Sequence, residues 1–254
     1  TFAVDMDKVR ELFAFADAYL VGNWIQRGLL EANFDVGERP IAIAPHGPYT
    51  MFDSGRFDRA SARRELGLPE DGRVALFFGR LRPDKSLDHL LGAFPAVRQR
   101  EPRATLFICT DTSYTPAYEA TLEDLKETGR EQGIFVMREY IPSDMIEPVF
   151  RAADILVLPY ANVSQSGVLN LGKAFELPAI VTDIFADAEE IAEYWGRTIP
   201  VHDENALAEA MVDLLAKPCE ELKALGETAL RFANERHSWE MNVQALRWSL
   251  RQFQ

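Results

Sequence analysis

The segment Gly79-Arg80-Leu81-Arg82-Pro83-Asp84-Lys85 directly follows an apolar run, Val74-Ala75-Leu76-Phe77-Phe78. A glycine there lets the backbone turn sharply or approach a ligand. Arg80, Arg82 and Lys85 gather cationic charge at one point. Arginine offers a planar fork to phosphate oxygens and lysine a movable point charge, so the group suits a diphosphate. An ordinary solvated loop would carry the same residues. A second segment, Ser164-Gln165-Ser166-Gly167-Val168-Leu169, follows Ile155-Leu156-Val157-Leu158-Pro159-Tyr160. It is small and polar, and it opens a stretch of helical spacing. Free backbone N–H groups and the positive end of a helix dipole make an anion site. An ordinary capped helix start would again look alike. Taken together, the two segments describe one anion pocket, with cations on one side and a helix N-terminus on the other.

Such a pocket needs adjacent parallel strands to hold it. From Arg73 onward short apolar runs alternate with amphipathic stretches. The runs are Val74–Phe78, Thr105–Cys109, Ile134–Met137, Ile155–Leu158, Ala179–Thr182 and, more weakly, Thr198–Val201. Continuous apolar runs rich in β-branched and aromatic residues read as strands buried on both faces. Between them, Leu87, Leu90, Leu91 and Phe94 keep helical spacing after Ser86, a candidate N-cap, with Pro95 expected to kink or end the helix. Asp144 and Glu147 read as a capping-box-like start with Ile146, Val149 and Phe150 inward. Ser166 reads as the cap of a helix through Phe175 that Pro178 stops. Strand–helix alternation implies right-handed crossovers and a parallel sheet covered on both faces, and ligands bind such sheets at the carboxyl ends of strands.

The two ends read differently. From Glu204 to Gln254 the chain is almost all helical, broken at Pro218. Ser238 caps a last helix that puts Trp239, Val243, Leu246 and Leu250 on one face. Near the start, Tyr19–Val21 and Ile41–Ala44 read as strands flanking a helix from Trp24 to Phe34, an edge without its sheet. Ser54–Ser61 reads as a polar linker.

Composition limits the partners. Of 254 residues, 47% are hydrophobic, enough for a sizeable core, and the net charge of −13 argues against a nucleic-acid surface. Cys109 and Cys219 stand apart from each other and from histidine, so they read as reduced thiols. His46, His89, His202 and His237 show no metal-ligand spacing. No stretch approaches the about twenty apolar residues of a membrane span. The first residues lack the basic and apolar regions of a signal peptide and an initiator Met, so the chain reads as a piece of a longer, cytoplasmic protein.

The residues also carry a family resemblance. Phe77 to Leu87 resembles the G-R-L-x-x-x-K-G segment of the retaining family-4 glycosyltransferases, and Phe150-Arg151-Ala152-Ala153-Asp154-Ile155-Leu156-Val157-Leu158-Pro159 resembles their Y-R-A-A-D-x-x-V-L-P strand. Leu177 to Asp183 is similar to their G-x-P-V-V-A-T-D. Pro45-His46-Gly47 and Ser238-Trp239 resemble the interdomain and C-terminal segments. The resemblance implies the C-terminal, donor-binding half of a GT-B fold: an α/β, Rossmann-like parallel sheet with helices on both faces and a helical C-terminus. Residues 1–53 would be the end of the N-terminal acceptor-binding domain plus the interdomain linker, and 54–254 the nucleotide-sugar-binding domain. Gly79, Arg80, Lys85, Ser166, Gly167 and Val168 match the positions that face the donor diphosphate, and Arg138, Glu139, Tyr140 and Ile141 the stretch along the base. The implied donor is a nucleotide diphosphate sugar, transferred with retention and without metal or cofactor. The implied acceptor is a glycan or a lipid-linked molecule held by the other half, which could also dock at the inner membrane face.

One element departs from the family pattern. Its members usually carry a pair of glutamates near the donor sugar and ribose. Those positions fall on Val163 and Leu171 or on Ser164 and Gly172, depending on the anchor used for counting. Ser164, Gln165 and Asn170 are the polar candidates left. The alternative is a degenerate, non-catalytic glycosyltransferase-like binding module. An epimerase of the same fold would need an acidic and histidine cluster that the sequence lacks.

Overall fold

The computed structural model describes residues 5–110, 116–138 and 140–252. The chain divides into two units, one of residues 1–47 with 233–254 and one of residues 48–232. In the smaller unit, α1 (Met6–Ala14), β1 (Tyr19–Val21), α2 (Trp24–Asn33) and β2 (Ile41–Ile43) follow in order. β1 and β2 pair in parallel, Tyr19 against Ile41. The Asn23 side chain caps α2 by accepting from the Gln26 N–H.

The larger unit holds α3 (Arg59–Glu65), β3 (Arg73–Phe78), α4 (Leu87–Arg100), β4 (Ala104–Thr110), α5 (Pro116–Thr128), β5 (Ile134–Arg138), α6 (Ser143–Arg151), β6 (Ile155–Leu158), α7 (Gly167–Ala174), β7 (Ala179–Thr182), α8 (Ala188–Glu190), β8 (Gly196–Ile199) and α9 (Glu204–Leu215). The boundary at residue 232 falls within α10 (Cys219–Arg236), and α11 (Trp239–Arg251) belongs to the smaller unit. The expected division into 1–53 and 54–254 therefore differs at both ends: residues 48–53 fall in the larger unit and residues 233–254 in the smaller. Within the smaller unit α11 lies against β1 and β2, and Asn242 Nδ2 donates to the carbonyls of Ala44 and Pro45.

Six strands form one all-parallel sheet in the order β5-β4-β3-β6-β7-β8. The four inner strands are buried through their centres: Ala75, Leu76, Ile108, Leu156, Val157 and Ile180 have no exposed surface. Helices cover both faces, which is why the runs are apolar without alternation. The chain winds outward from β3 through β4 to β5, then returns to place β6 on the other side of β3. The strand order reverses between β3 and β6, and the crevice at their carboxyl ends is where such sheets take ligands.

Local sequence explains the elements, with several corrections. Ser166 caps α7 by accepting from the Leu169 N–H at 3.2 Å, as expected. Ser238 caps α11 in the same way through Met241. Ser86 does not cap α4; it sits in the left-handed region at φ 53° and its side chain accepts no capping bond. Pro95 does not end α4, which runs on to Arg100 because Phe94 and Val97 are buried against the core. Glu147 is not part of a capping box. α6 starts at Ser143, and the buried Glu147 carboxylate instead accepts from Ser54 Oγ, Arg56 N and Phe57 N. The 54–61 stretch is thus pinned by Glu147, and Asp58 and Ser61 form a reciprocal capping box that opens α3. The weak strand expected at Thr198–Val201 lies earlier, at Gly196–Ile199, in register with Ala179–Thr182.

Candidate functional site at the strand switch

Gly79 leaves β3 at φ 121°, a backbone conformation that side chains rarely tolerate. Its N–H donates to the Cys109 carbonyl at 2.9 Å, so the turn stays anchored to β4. A Cβ on Gly79 would lie 3.5 Å from Val168 Cγ2. The end of β3 and the first turn of α7 therefore meet here, although they are far apart in sequence. Behind Gly79 the chain makes a single helical turn at Pro83–Lys85. That turn is tied to the β6–α7 loop by the Ala161 N–H, which donates to the Asp84 carbonyl at 2.8 Å.

A cavity of about 160 Å³ opens between these elements. Gly79, Arg80, Arg82 and Lys85 line one side, and Gln165, Ser166, Gly167 and Val168 the other, with Tyr160 among them. Beside two of these residues, Asp84 Oδ2 lies 2.6 Å from Arg82 Nη2 and 3.7 Å from Lys85 Nζ. Burial lowers the Lys85 ammonium below the ordinary lysine range, and Asp84 partly restores it. Six of the sequence-derived phosphate residues thus share one cavity: Gly79, Arg80, Lys85, Ser166, Gly167 and Val168. Gln165 joins them.

Gly79 and Arg80 also line a second cavity of about 350 Å³, with Phe78, Cys109, Thr110, Tyr140 and Ile141. Through these two shared residues the cavities run along the strand ends as neighbours. Tyr140 is exposed there, 77% open, which leaves an aromatic face free for a flat ring. Arg138 is not brought to this place. It ends β5 with its guanidinium paired to Glu119 and Glu123 of α5, and it lines a different cavity on that edge of the sheet. Glu139 lies outside the described residues. Ser164 is exposed and does not line the small cavity. Asn170 is buried in α7, its carbonyl accepting from the Tyr49 N–H.

Larger cavities exist, but they are not at this edge. One of about 620 Å³ lies along the outer strand β5, and one of about 530 Å³ at the amino ends of β6 and β7. Size alone would choose them; the topology and the convergence of cations with a helix N-terminus choose the switch point. Among the described residues, no group of three His, Cys, Asp or Glu could hold a metal ion, and no helix is long and apolar enough to cross a membrane. Neither Cys109 nor Cys219 is in a disulfide. Sequence reasoning did not single out Tyr160. Its position directly after a strand that ends at the crevice was the available signal.

The G-R-L-x-x-x-K-G segment that Phe77 to Leu87 resembles has a glycine where this chain has Ser86, and the backbone there explains why. The left-handed conformation costs a side-chain-bearing residue roughly 1–2 kcal/mol, and Ser86 Oγ is buried without a hydrogen-bond partner. Glycine gives back roughly 0.5–1 kcal/mol in unfolded-chain entropy. Ser86→Gly should therefore stabilise the fold by about 1 kcal/mol, measured as a higher urea midpoint at unchanged slope. A lower midpoint would mean the hydroxyl has a partner in solution.

Comparison with known proteins agrees with this reading of the fold. Residues 72–217 match the family model described as glycosyl transferases group 1. The D-inositol 3-phosphate glycosyltransferase of Saccharomonospora viridis is 27% identical over 247 residues, covering 93% of this chain and 56% of the relative. That of Corynebacterium glutamicum is 31% identical over 208 residues, covering 80% of this chain and 49% of the relative. The chain thus spans about half the length of the curated relatives it matches. Among solved structures, sucrose-phosphate synthase from Thermosynechococcus elongatus superposes with a TM-score of 0.79 at 19% identity, over 98% of this chain and 61% of that one. Anabaena Alr3699/HepE, solved with UDP and glucose, gives 0.75 at 15% identity, over 95% and 65%. The match of the family model, spanning both segments of the cavity, shows that this chain belongs to the glycosyl transferases group 1 family.

Proposed function

We propose that this chain holds the diphosphate of a nucleotide-sugar donor at the switch between β3 and β6, as the donor-binding, C-terminal half of a GT-B glycosyltransferase. The observation that carries this is the convergence of two separate segments, Gly79–Lys85 and Gln165–Val168, on one cavity. In this reading Arg80 and Lys85 meet the phosphate oxygens, and the first amides of α7 face them. Fixed donors aimed at the charge that develops on the departing diphosphate lower the barrier to glycosyl transfer without reorganising. The sugar passes with retention to a glycan or lipid-linked acceptor held by the other half, so this chain by itself does not turn over. Tyr140 and Ile141, beside Gly79 and Arg80, take the base; Gln165 is the polar residue placed to reach the sugar or ribose.

A second reading, a non-catalytic binding module, is favoured by the residues in place of the glutamate pair. Leu171 is buried and apolar, and Val163 packs against the core. Both readings bind nucleotide, and glycosyl transfer by the full-length protein separates them.

The test is calorimetric titration of the chain with UDP, GDP and ADP in metal-free buffer. UDP comes first, because Alr3699/HepE, which shares the fold, was solved with it. One nucleotide should bind selectively, and Arg80→Ala should weaken it about tenfold, as expected for a hydrogen bond to a charged group. No binding of any of them at millimolar concentration would overturn the reading.

A further inference from the structure

Tyr160 lines the cavity together with both halves of the proposed diphosphate cradle. It follows β6 and Pro159, is 2% exposed, and lines the small cavity. The Lys85 ammonium sits 3.6 Å from its ring centroid, well inside the range of an attractive cation–ring contact. Ser166, from the other half, lines the same cavity. Ser166 Oγ accepts the Leu169 N–H and so caps α7. The Tyr160 carbonyl accepts from Thr182 Oγ1 at 2.7 Å, and Phe185 packs against the ring at 5.6 Å between centroids. The residue is thus held from β7 and the segment after it, while its ring faces the Lys85 cation.

We infer that Tyr160 is a positioning residue for the donor diphosphate, fixing the Lys85 ammonium over its ring at a set place relative to the first turn of α7. The inference rests on the donor-site reading above. A flexible lysine loses side-chain freedom when it binds an anion. The ring removes much of that freedom beforehand, so the ammonium can exchange Asp84 for phosphate without leaving its platform.

A double-mutant cycle in nucleoside diphosphate binding tests this, using the full chain and whichever of UDP, GDP or ADP it binds. Tyr160→Phe keeps the ring and should weaken binding no more than about threefold. In that background Lys85→Ala should still have its full effect. Tyr160→Leu should weaken binding about tenfold, and Lys85→Ala added to it should cost less than it does in the native chain. Effects that simply multiply in the Leu background would overturn the inference, because a scaffold residue lowers stability without altering what Lys85 contributes. Should the Leu variant fail to fold, increasingly fluorinated phenylalanine at position 160 keeps the shape while draining the ring's negative face. Affinity should then fall stepwise with fluorination when Lys85 is present and stay level in Lys85→Ala; a level response in both sinks the idea. If the native chain binds no nucleotide, the donor-site reading itself fails and this inference with it.

Discussion

Lys85→Ala should weaken nucleoside diphosphate binding by about 1.5–3 kcal/mol, the range for a hydrogen bond to a charged group. The lysine is only 19% exposed at its side chain, so its charge acts with less screening than a surface cation. Its pH signature follows from the same burial. The free ammonium is held below the ordinary lysine range, mainly by desolvation, with Asp84 opposing and Arg82 reinforcing the drop. A bound diphosphate adds negative charge beside it and raises its proton affinity again. Affinity should therefore be level below the depressed value and decline as pH rises through it. Binding in that alkaline window should take up a fraction of a proton. Titrations in buffers of different ionisation enthalpy measure the uptake, and Lys85→Arg should abolish it, since arginine stays charged. Unchanged affinity in Lys85→Ala would remove the residue from the site.

Much of this site could be read from the chain because its parts obey local rules. A strand buried on both faces must be apolar throughout, so Val74–Phe78 and Ile155–Leu158 announced themselves, and the parallel sheet followed from their alternation with helices. Ser166 was legible as a cap because its role is local, spanning three residues to Leu169. What failed was set by contacts distant in sequence. Glu147 looks like a capping residue, yet its carboxylate reaches Ser54, Arg56 and Phe57. Ser86 looks like a cap, yet the turn before it forces a left-handed backbone. Arg138 follows the family stretch beside the base, but two glutamates of α5 claim its guanidinium. Tyr160 carries no pattern at all: a tyrosine after a strand gains meaning only when a lysine from another loop lands on its ring.

Asp154→Ala should destabilise the fold by about 3–5 kcal/mol, the cost of removing one partner from a buried ion pair. The residue belongs to the resembling R-A-A-D strand motif and could be taken for a catalytic acid. The structure puts it at the amino end of β6, at the opposite end of that strand from Tyr160 and the switch-point cavity. Its Oδ2 lies 2.6 Å from Arg63 Nη2 and accepts the Val74 N–H at 2.6 Å. Oδ1 lies 2.8 Å from Arg59 Nη2. Arg63 is fully buried, and its other nitrogens donate to the carbonyls of Ala152 and Glu70. One carboxylate therefore fastens α3 to β3 and β6, the two strands that flank the crevice. Without it a buried guanidinium keeps its charge and loses its counter-ion, and burial already disfavours that charge. Urea denaturation should show the lower midpoint in Asp154→Ala. Nucleotide affinity of the protein that remains folded, measured well below the midpoint, should change less than twofold, about 0.4 kcal/mol, the scatter expected between distant sites. A large loss of affinity with little loss of stability would reverse the assignment and make Asp154 part of the site. The structural role predicts a further asymmetry: Arg59→Ala, which removes a half-exposed partner, should cost only about 1 kcal/mol, because Arg63 and the Val74 amide still hold the carboxylate in place.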